Sequence, residues 1–421
     1  KLIIYTVLIM RKDIIKKIAI NWMNEKTNKK FSYNNINSIS SITNNTDTLF
    51  YIVEFSPEGF IIISADDIAL PVLMYTDEGK YTNNLPQGFS EMLFHRKNEI
   101  EEARKNVTIT NENIKRIWQK YSVDEKLFIQ KGCSESISPL LTTKWGQHYP
   151  YNKFCPPTDT LGSGGRTWAG CVAVAFAQLM KYYNWPINGK GYYEYDHYVY
   201  GKISANFEST FYDWGNMINN INWNDSEINI NTIAKLIFHC GVSVSTDYGP
   251  NNSFAETTDV RSALINFFRY SDESKIVWKK FDNQIIYSDS QWVNMIKLEL
   301  LNSRPIIYRG NNSEGYQGHS FVIDGFNDDH FHINWGWGGA LNGYFLLTAL
   351  TPSSIFDFSY DNIAIINIKP EKSLSNISTT KIHEIIKLFQ NYPNPFNSQT
   401  TIDFEIKEPM NVKIKVYSLL G

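Results

Sequence analysis

Apolar residues recur along this chain at two periods, and the places where the period changes mark its organisation. Between residues 11 and 30, Ile14, Ile18 and Trp22 share one helical face with Ile15 and Ala19 beside them, which predicts a first helix. A Ser/Asn-rich loop is expected next. Residues 48–55 and 60–65 are rich in β-branched and aromatic side chains and flank Ser56-Pro57-Glu58-Gly59, the composition of a hairpin turn. Residues 71–76 add a strand. Residues 89–105 return to a helical period, and their HRKNEIEEARK run reads as a solvated face. Residues 106–135 carry few apolar positions and are expected to be connecting and exposed.

From Pro139 to about residue 370 the punctuation becomes aromatic, Gly and Pro. The glycine-rich run GSGGRTWAG meets CVAVAFAQLMKYY, in which Val172, Phe176, Leu179, Met180 and Tyr183 keep helical spacing until Asn184-Trp185-Pro186 stops them. Cys171 stands in the first turn of that helix. Unpaired N–H groups and the positive end of the macrodipole favour thiolate there, as a nucleophile needs. A small buried apolar residue is the other reading of the same cysteine.

Residues 305–308, 319–326, 330–335 and 344–350 read as consecutive strands, with Asn327-Asp328-Asp329 as a tight turn. Pairing about that turn sets His319 opposite residues 334–338 and gathers His319, Asn334 and Trp335. A hydrogen bond from Asn334 could then fix the imidazole tautomer, and the Trp335 indole could shield it from water, as suits a general base. The adjoining WGWGG leaves room for a substrate backbone. A core hairpin whose histidine satisfies a neighbour is the alternative. Asp328, Asp329, His330 and His332 are metal-ligand types, but they make an ordinary polar turn and strand; no metal or cofactor is expected.

The 421 residues allow two or three domains, and a net charge of −3 gives no reason to expect a nucleic-acid or anionic-membrane partner. Residues 2–10 are apolar but too short to span a bilayer, and read as a signal-peptide remnant or a first strand. Cys133, Cys155, Cys171 and Cys240 are too few for a disulfide scaffold. The tail has alternating β runs at 401–406 and 412–417, two strands being too few for a stable domain, so it reads as cut off.

Five segments in this order resemble the streptopain family of papain-like cysteine peptidases: KWGQHYPYN, AGCVAVAFAQLMKYYNWP, GVSVSTDYGP, GHSFVIDGF and HINWGWGG. GFIIISADDIALPVLMYT is similar to that family's propeptide, and NYPNPFN to the start of the sorting domains of Bacteroidetes-type (type IX) secretion. The resemblance implies an α+β fold with a helical lobe and an antiparallel β-sheet lobe. It divides the chain into a propeptide-like domain and linker (1–135), a peptidase domain (136–370), a linker (371–385) and the start of a β-rich sorting domain (386–421). It implies a secreted or cell-surface endopeptidase made as a zymogen. Its partners would be polypeptide substrates, its own propeptide as inhibitor, and a secretion machinery. By position, Cys171 matches the nucleophile, His319 the base and acid, Gln147 the oxyanion donor, and Asn334 with Trp335 the pair orienting the histidine. A cysteine acyltransferase or amidase, and a non-catalytic secreted binding or adhesion protein, are the alternative functions.

Overall fold

Phe50, Ile52, Phe60 and Ile62 alternate along two strands with Tyr51, Val53, Ile61 and Ile63, and both sets are buried because helices cover each face of the sheet. The computed structural model describes residues 11–44, 47–83, 85, 87–105, 112–124, 135–158, 162–282, 284–311, 318–347, 362–371, 386–388, 392–397, 399–401 and 404–406. The elements begin with α1 (Lys12–Lys26), β1 (Ile36–Asn44), β2 (Asp47–Phe55), β3 (Phe60–Ser64), β4 (Val72–Thr76), α2 (Gln87–Lys105), α3 (Glu112–Ser122) and β5 (Ser136–Ile137). Then come α4 (Cys171–Tyr183), β6 (Tyr192–His197), β7 (Gly201–Asn206), α5 (Glu227–Ser243), α6 (Asp259–Phe267), β8 (Lys275–Trp278), β9 (Lys280–Phe281) and β10 (Gln284–Ile285). The main body closes with α7 (Asp289–Leu301), β11 (Ile306–Asn311), β12 (Gly318–Asn327), β13 (His330–Asn334), β14 (Gly343–Leu346) and β15 (Ile363–Ile366).

One antiparallel sheet runs through both halves of this body in the order β1-β2-β3-β4-β14-β13-β12-β11-β15-β8, with β5 added to β12. The joint is β4 against β14, where Tyr344 lies opposite Tyr75 and their rings stack at 5.0 Å. Gly343 is required there by close approach, since a Cβ would stand 2.8 Å from the Tyr75 carbonyl oxygen. Helices α2 and α7 cover one face through Phe89, Met92, Trp292 and Ile296. On the other face α1 and α3 cover the early strands, while α4, α5 and α6 form a helical lobe over Ile307 and Ile365. The chain divides into two compact units only at Glu371, so the two regions expected at 1–135 and 136–370 lie in one. In the second unit, β16 (Ile386–Leu388) pairs with β19 (Phe404–Ile406) and β17 (Tyr392–Asn397) with β18 (Gln399–Thr401).

Three expectations are corrected. The Ser/Asn stretch expected to be loop contains β1, which among the described residues is an edge strand paired with β2 alone and buries little, so its sequence needs no apolar alternation. The segment expected to be exposed contains α3, whose Ile114, Trp118 and Tyr121 are buried against α1. The charged face of α2 is not wholly solvated: Arg96 and Glu99 are buried as an ion pair with N···O of 2.9 Å, and Arg96 also donates to the Leu346 carbonyl at 2.8 Å. Residues 2–10, Cys133 and the run at 412–417 lie outside the described residues.

Candidate active site

Gly170 precedes α4 with φ +88°, a backbone conformation that glycine takes without strain, and this lets the chain turn sharply into the helix. Its approach is pinned from several sides. Asn152 Nδ2 donates to the Thr167 carbonyl, the Trp168 N–H to the Gly249 carbonyl, and Ser253 Oγ to the Trp168 carbonyl. The Ala169 N–H donates to the Gln147 carbonyl at 3.0 Å, holding Gln147 beside the start of α4. Its side chain is part-buried and its amide makes no hydrogen bond among the described residues.

Cys171 is therefore the first helical residue and is part-exposed. Burial acts to raise its pKa, but the charge and hydrogen bond of His319, together with the Ser320 and Val172 N–H groups, outweigh this and hold the thiol below its ordinary value. The other two described cysteines behave oppositely: burial pushes the Cys155 thiol up to about 12 and the Cys240 thiol well above its usual range. Chemistry and position single out Cys171.

His319 comes from β12, paired through Gly310 to β11. Its ring is packed 4.6 Å from Trp337 and 5.9 Å from Trp335, with Phe321 on the same strand face. Nε2 lies 2.9 Å from the Trp335 carbonyl oxygen. A carbonyl only accepts, so Nε2 carries the hydrogen and the neutral ring keeps its lone pair on Nδ1. The hairpin turns at Asp328 and Asp329, with Asn327 opposite His330 and Val322 opposite Asn334; the register slips by one residue near Asp324. This carries His319 to the loop that follows β13, as the turn predicted.

The partner of the imidazole differs from the expectation. Asn334 is buried, but its side chain faces the helical lobe: Nδ2 donates to the Thr143 carbonyl at 2.7 Å and to Gln178 Oε1 at 3.2 Å, while Oδ1 accepts from Gln178 Nε2 at 3.1 Å and from the Gly336 N–H. The backbone of Trp335, not the amide of Asn334, meets His319. The Trp335 indole is fully buried, stacked on Trp337 at 5.0 Å and edged by Phe345 and by Phe89 of α2. Gln178 was not anticipated. Its signal was in the sequence, as the one polar side chain in the apolar run from Val172 to Met180.

The four residues weighed as metal ligands are otherwise engaged. Asp328 pairs with Lys26, Asp329 with Lys297 and His332 with Asp324, while His330 bonds the Val72 carbonyl. Among the described residues no three His, Cys, Asp or Glu side chains group as a metal site, and no helix is long and apolar enough to cross a membrane.

The profile of the Peptidase C10 family matches residues 145–345, and that of the Spi protease inhibitor matches residues 10–100. Streptopain of Streptococcus pyogenes is 28% identical over 340 residues, covering 76% of this chain and 80% of that protein. The thiol protease/hemagglutinin PrtT of Porphyromonas gingivalis is 28% identical over 361 residues, 77% of this chain and 37% of that protein. The solved structure of a prointerpain A fragment from Prevotella intermedia is similar at a TM-score of 0.61 and 31% identity, over 78% of this chain and 97% of that one. The two-lobed α+β architecture is that of papain-like peptidases of this kind.

Proposed function

Because the chain belongs to the Peptidase C10 family, and is a cysteine endopeptidase with an inhibitor-type propeptide domain, we propose that Cys171 and His319 carry its chemistry. The observation that supports this most is a thiol at a helix start, held below its ordinary pKa by an imidazole whose other nitrogen is fixed on a carbonyl. The Cys171 thiolate attacks the scissile carbonyl of a bound polypeptide. The oxyanion is met by the Cys171 N–H and the Gln147 side chain, each donor worth about 3 kcal/mol. His319 protonates the leaving amine from Nδ1, then takes a proton from water as it attacks the thioester, returning acid and thiolate. The Trp335 carbonyl holds the ring in the required tautomer, and the stacked indoles of Trp335 and Trp337 keep water from that bond.

The first domain acts in this reading as an intramolecular inhibitor. Support comes from the shared sheet at β4 and β14, and from α2, which sets Phe89 against Trp335. Cleavage between about residues 120 and 140 would release it. Ser136 and Ile137 are paired with β12 and the Leu140 and Leu141 N–H groups are held by Asp324, which favours a cut before Ser136. The protein is proposed to be secreted or held at the cell surface, with residues 386–421 as the start of its sorting domain; deleting that domain should abolish its appearance outside the cell.

The test is a peptide-library digest by the processed wild-type enzyme and by its Cys171→Ala counterpart, with labelling by a thiol-directed epoxide. Hydrolysis and labelling at Cys171 that both vanish in the variant are expected. Peptides left uncut while an amine is added to an acyl product would sink the hydrolase mechanism. Incubating Cys171→Ala alone and beside active enzyme tests self-processing: it should stay intact alone and be trimmed in company.

A further inference from the structure

We propose that Gln178 and Asn334 form an amide latch between the two lobes that sets His319 against Cys171, so that both are positioning residues for the reaction. The inference rests on the reading of Cys171 and His319 as nucleophile and base.

The two amides are reciprocal, Gln178 Nε2 donating to Asn334 Oδ1 at 3.1 Å and Asn334 Nδ2 to Gln178 Oε1 at 3.2 Å. Both side chains are buried, at 0% and 2% exposure. Each also bonds a backbone group flanking the site. Gln178 Oε1 accepts from the Trp145 N–H at 3.1 Å, two residues before Gln147. Asn334 Oδ1 accepts from the Gly336 N–H at 3.2 Å, just beyond Trp335. Asn334 thereby uses both protons and both lone pairs.

Position along the chain turns this network into a gauge. Gln178 lies two helical turns after Cys171 on nearly the same face of α4, about 10 Å along the axis, and a helix transmits that offset rigidly. Asn334 is bonded in sequence to Trp335, whose carbonyl holds His319. The path from Cys171 through α4, Gln178, Asn334 and Trp335 to His319 closes a ring whose last side is the thiol–imidazole contact. The Trp145 branch ties the proposed oxyanion donor to the same pair. An apolar pair of similar volume would fill this space without fixing any of these distances.

The test uses the full chain and the small alkylating reagent iodoacetamide, with Cys171 modification read by mass spectrometry from pH 5 to 9. Wild-type Cys171 should reach half its maximal rate at a lower pH than an ordinary thiol does. In Gln178→Met/Asn334→Leu, which keeps the volume and removes the latch, the rate at pH 5.5 should fall at least about tenfold with the pH 9 rate unchanged. Its kcat on a peptide should fall with little change in KM. A folded double variant with the wild-type profile overturns the latch. Should that variant not fold, Gln178→Asn and Gln178→Asn/Asn334→Gln decide: restoring the summed length should recover about tenfold in kcat, and a merely additive loss overturns the proposal. A wild-type Cys171 that reacts only above about pH 8 overturns the thiol–imidazole reading itself, a different failure from unaltered variants beside a wild type that reacts in acid.

Discussion

Lowering the pH should weaken the union of the inhibitor-type half with the enzyme half through one histidine. His330 opens β13 and lies 5.2 Å from Trp22 and 5.5 Å from Tyr75, while its Nε2 donates to the Val72 carbonyl at 3.1 Å. All three partners belong to the inhibitor-type half. Burial drives the His330 pKa down to about 4; Lys26 adds to the fall, and the Val72 bond, Asp329 and Asp328 oppose it. The folded value lies below the unfolded one of about 6.5, so the unfolded chain binds the extra proton between them. The contribution is fully present above pH 6.5 and is lost as pH falls toward 4. At 1.36 kcal/mol per pH unit, and with the midpoint reached at pH 4, the loss is about 3 kcal/mol, of which about 2 is already gone at pH 5. Urea unfolding of Cys171→Ala, which cannot cut itself, should be compared with Cys171→Ala/His330→Gln at pH 7, 5 and 4 and fixed salt. Carboxylates remote from His330 titrate alike in both proteins and cancel in the difference, so the gap between the two should change by about 3 kcal/mol over that range. Parallel curves, agreeing within about 0.5 kcal/mol at every pH, would refute the reasoning.

Gln147→Ala should lower kcat by about a hundredfold with little effect on KM, measured in steady state on a peptide, because its amide acts on the developing oxyanion. Arg96→Met takes the buried guanidinium away from Glu99 and from the Leu346 carbonyl and should cost about 3 kcal/mol in urea unfolding, part of it regained in Arg96→Met/Glu99→Leu. Gly170→Ala puts a side chain on a φ of +88° and sets a Cβ 3.3 Å from the Ser253 carbonyl oxygen. It should cost about 1–3 kcal/mol and slow Cys171 alkylation, both readable on the full chain.

How far the sequence reached depended on how local each signal was. The α4 helix was legible because its apolar period, the glycine before it and the Asn-Trp-Pro stop all lie within one stretch. The approach of His319 to the loop after β13 was legible because a two-residue turn sets the register of a hairpin. The helix α3 carried a readable apolar face in Ile114, Trp118 and Tyr121, outweighed by its polar content, whereas β1 had no pattern to find because an edge strand borrows its order from β2.

The chain's order of residues alone determined the helical start at Cys171, the hairpin that presents His319, and the family segments around both, since each depends on neighbours within a few residues. Only the folded molecule decided that the Trp335 carbonyl and not the Asn334 amide receives the imidazole, that Asn334 turns instead to Gln178, and that Arg96 and Glu99 are buried together. A side-chain amide has several donors and acceptors within reach of its backbone position, and which of them it satisfies is settled by what the rest of the chain packs around it.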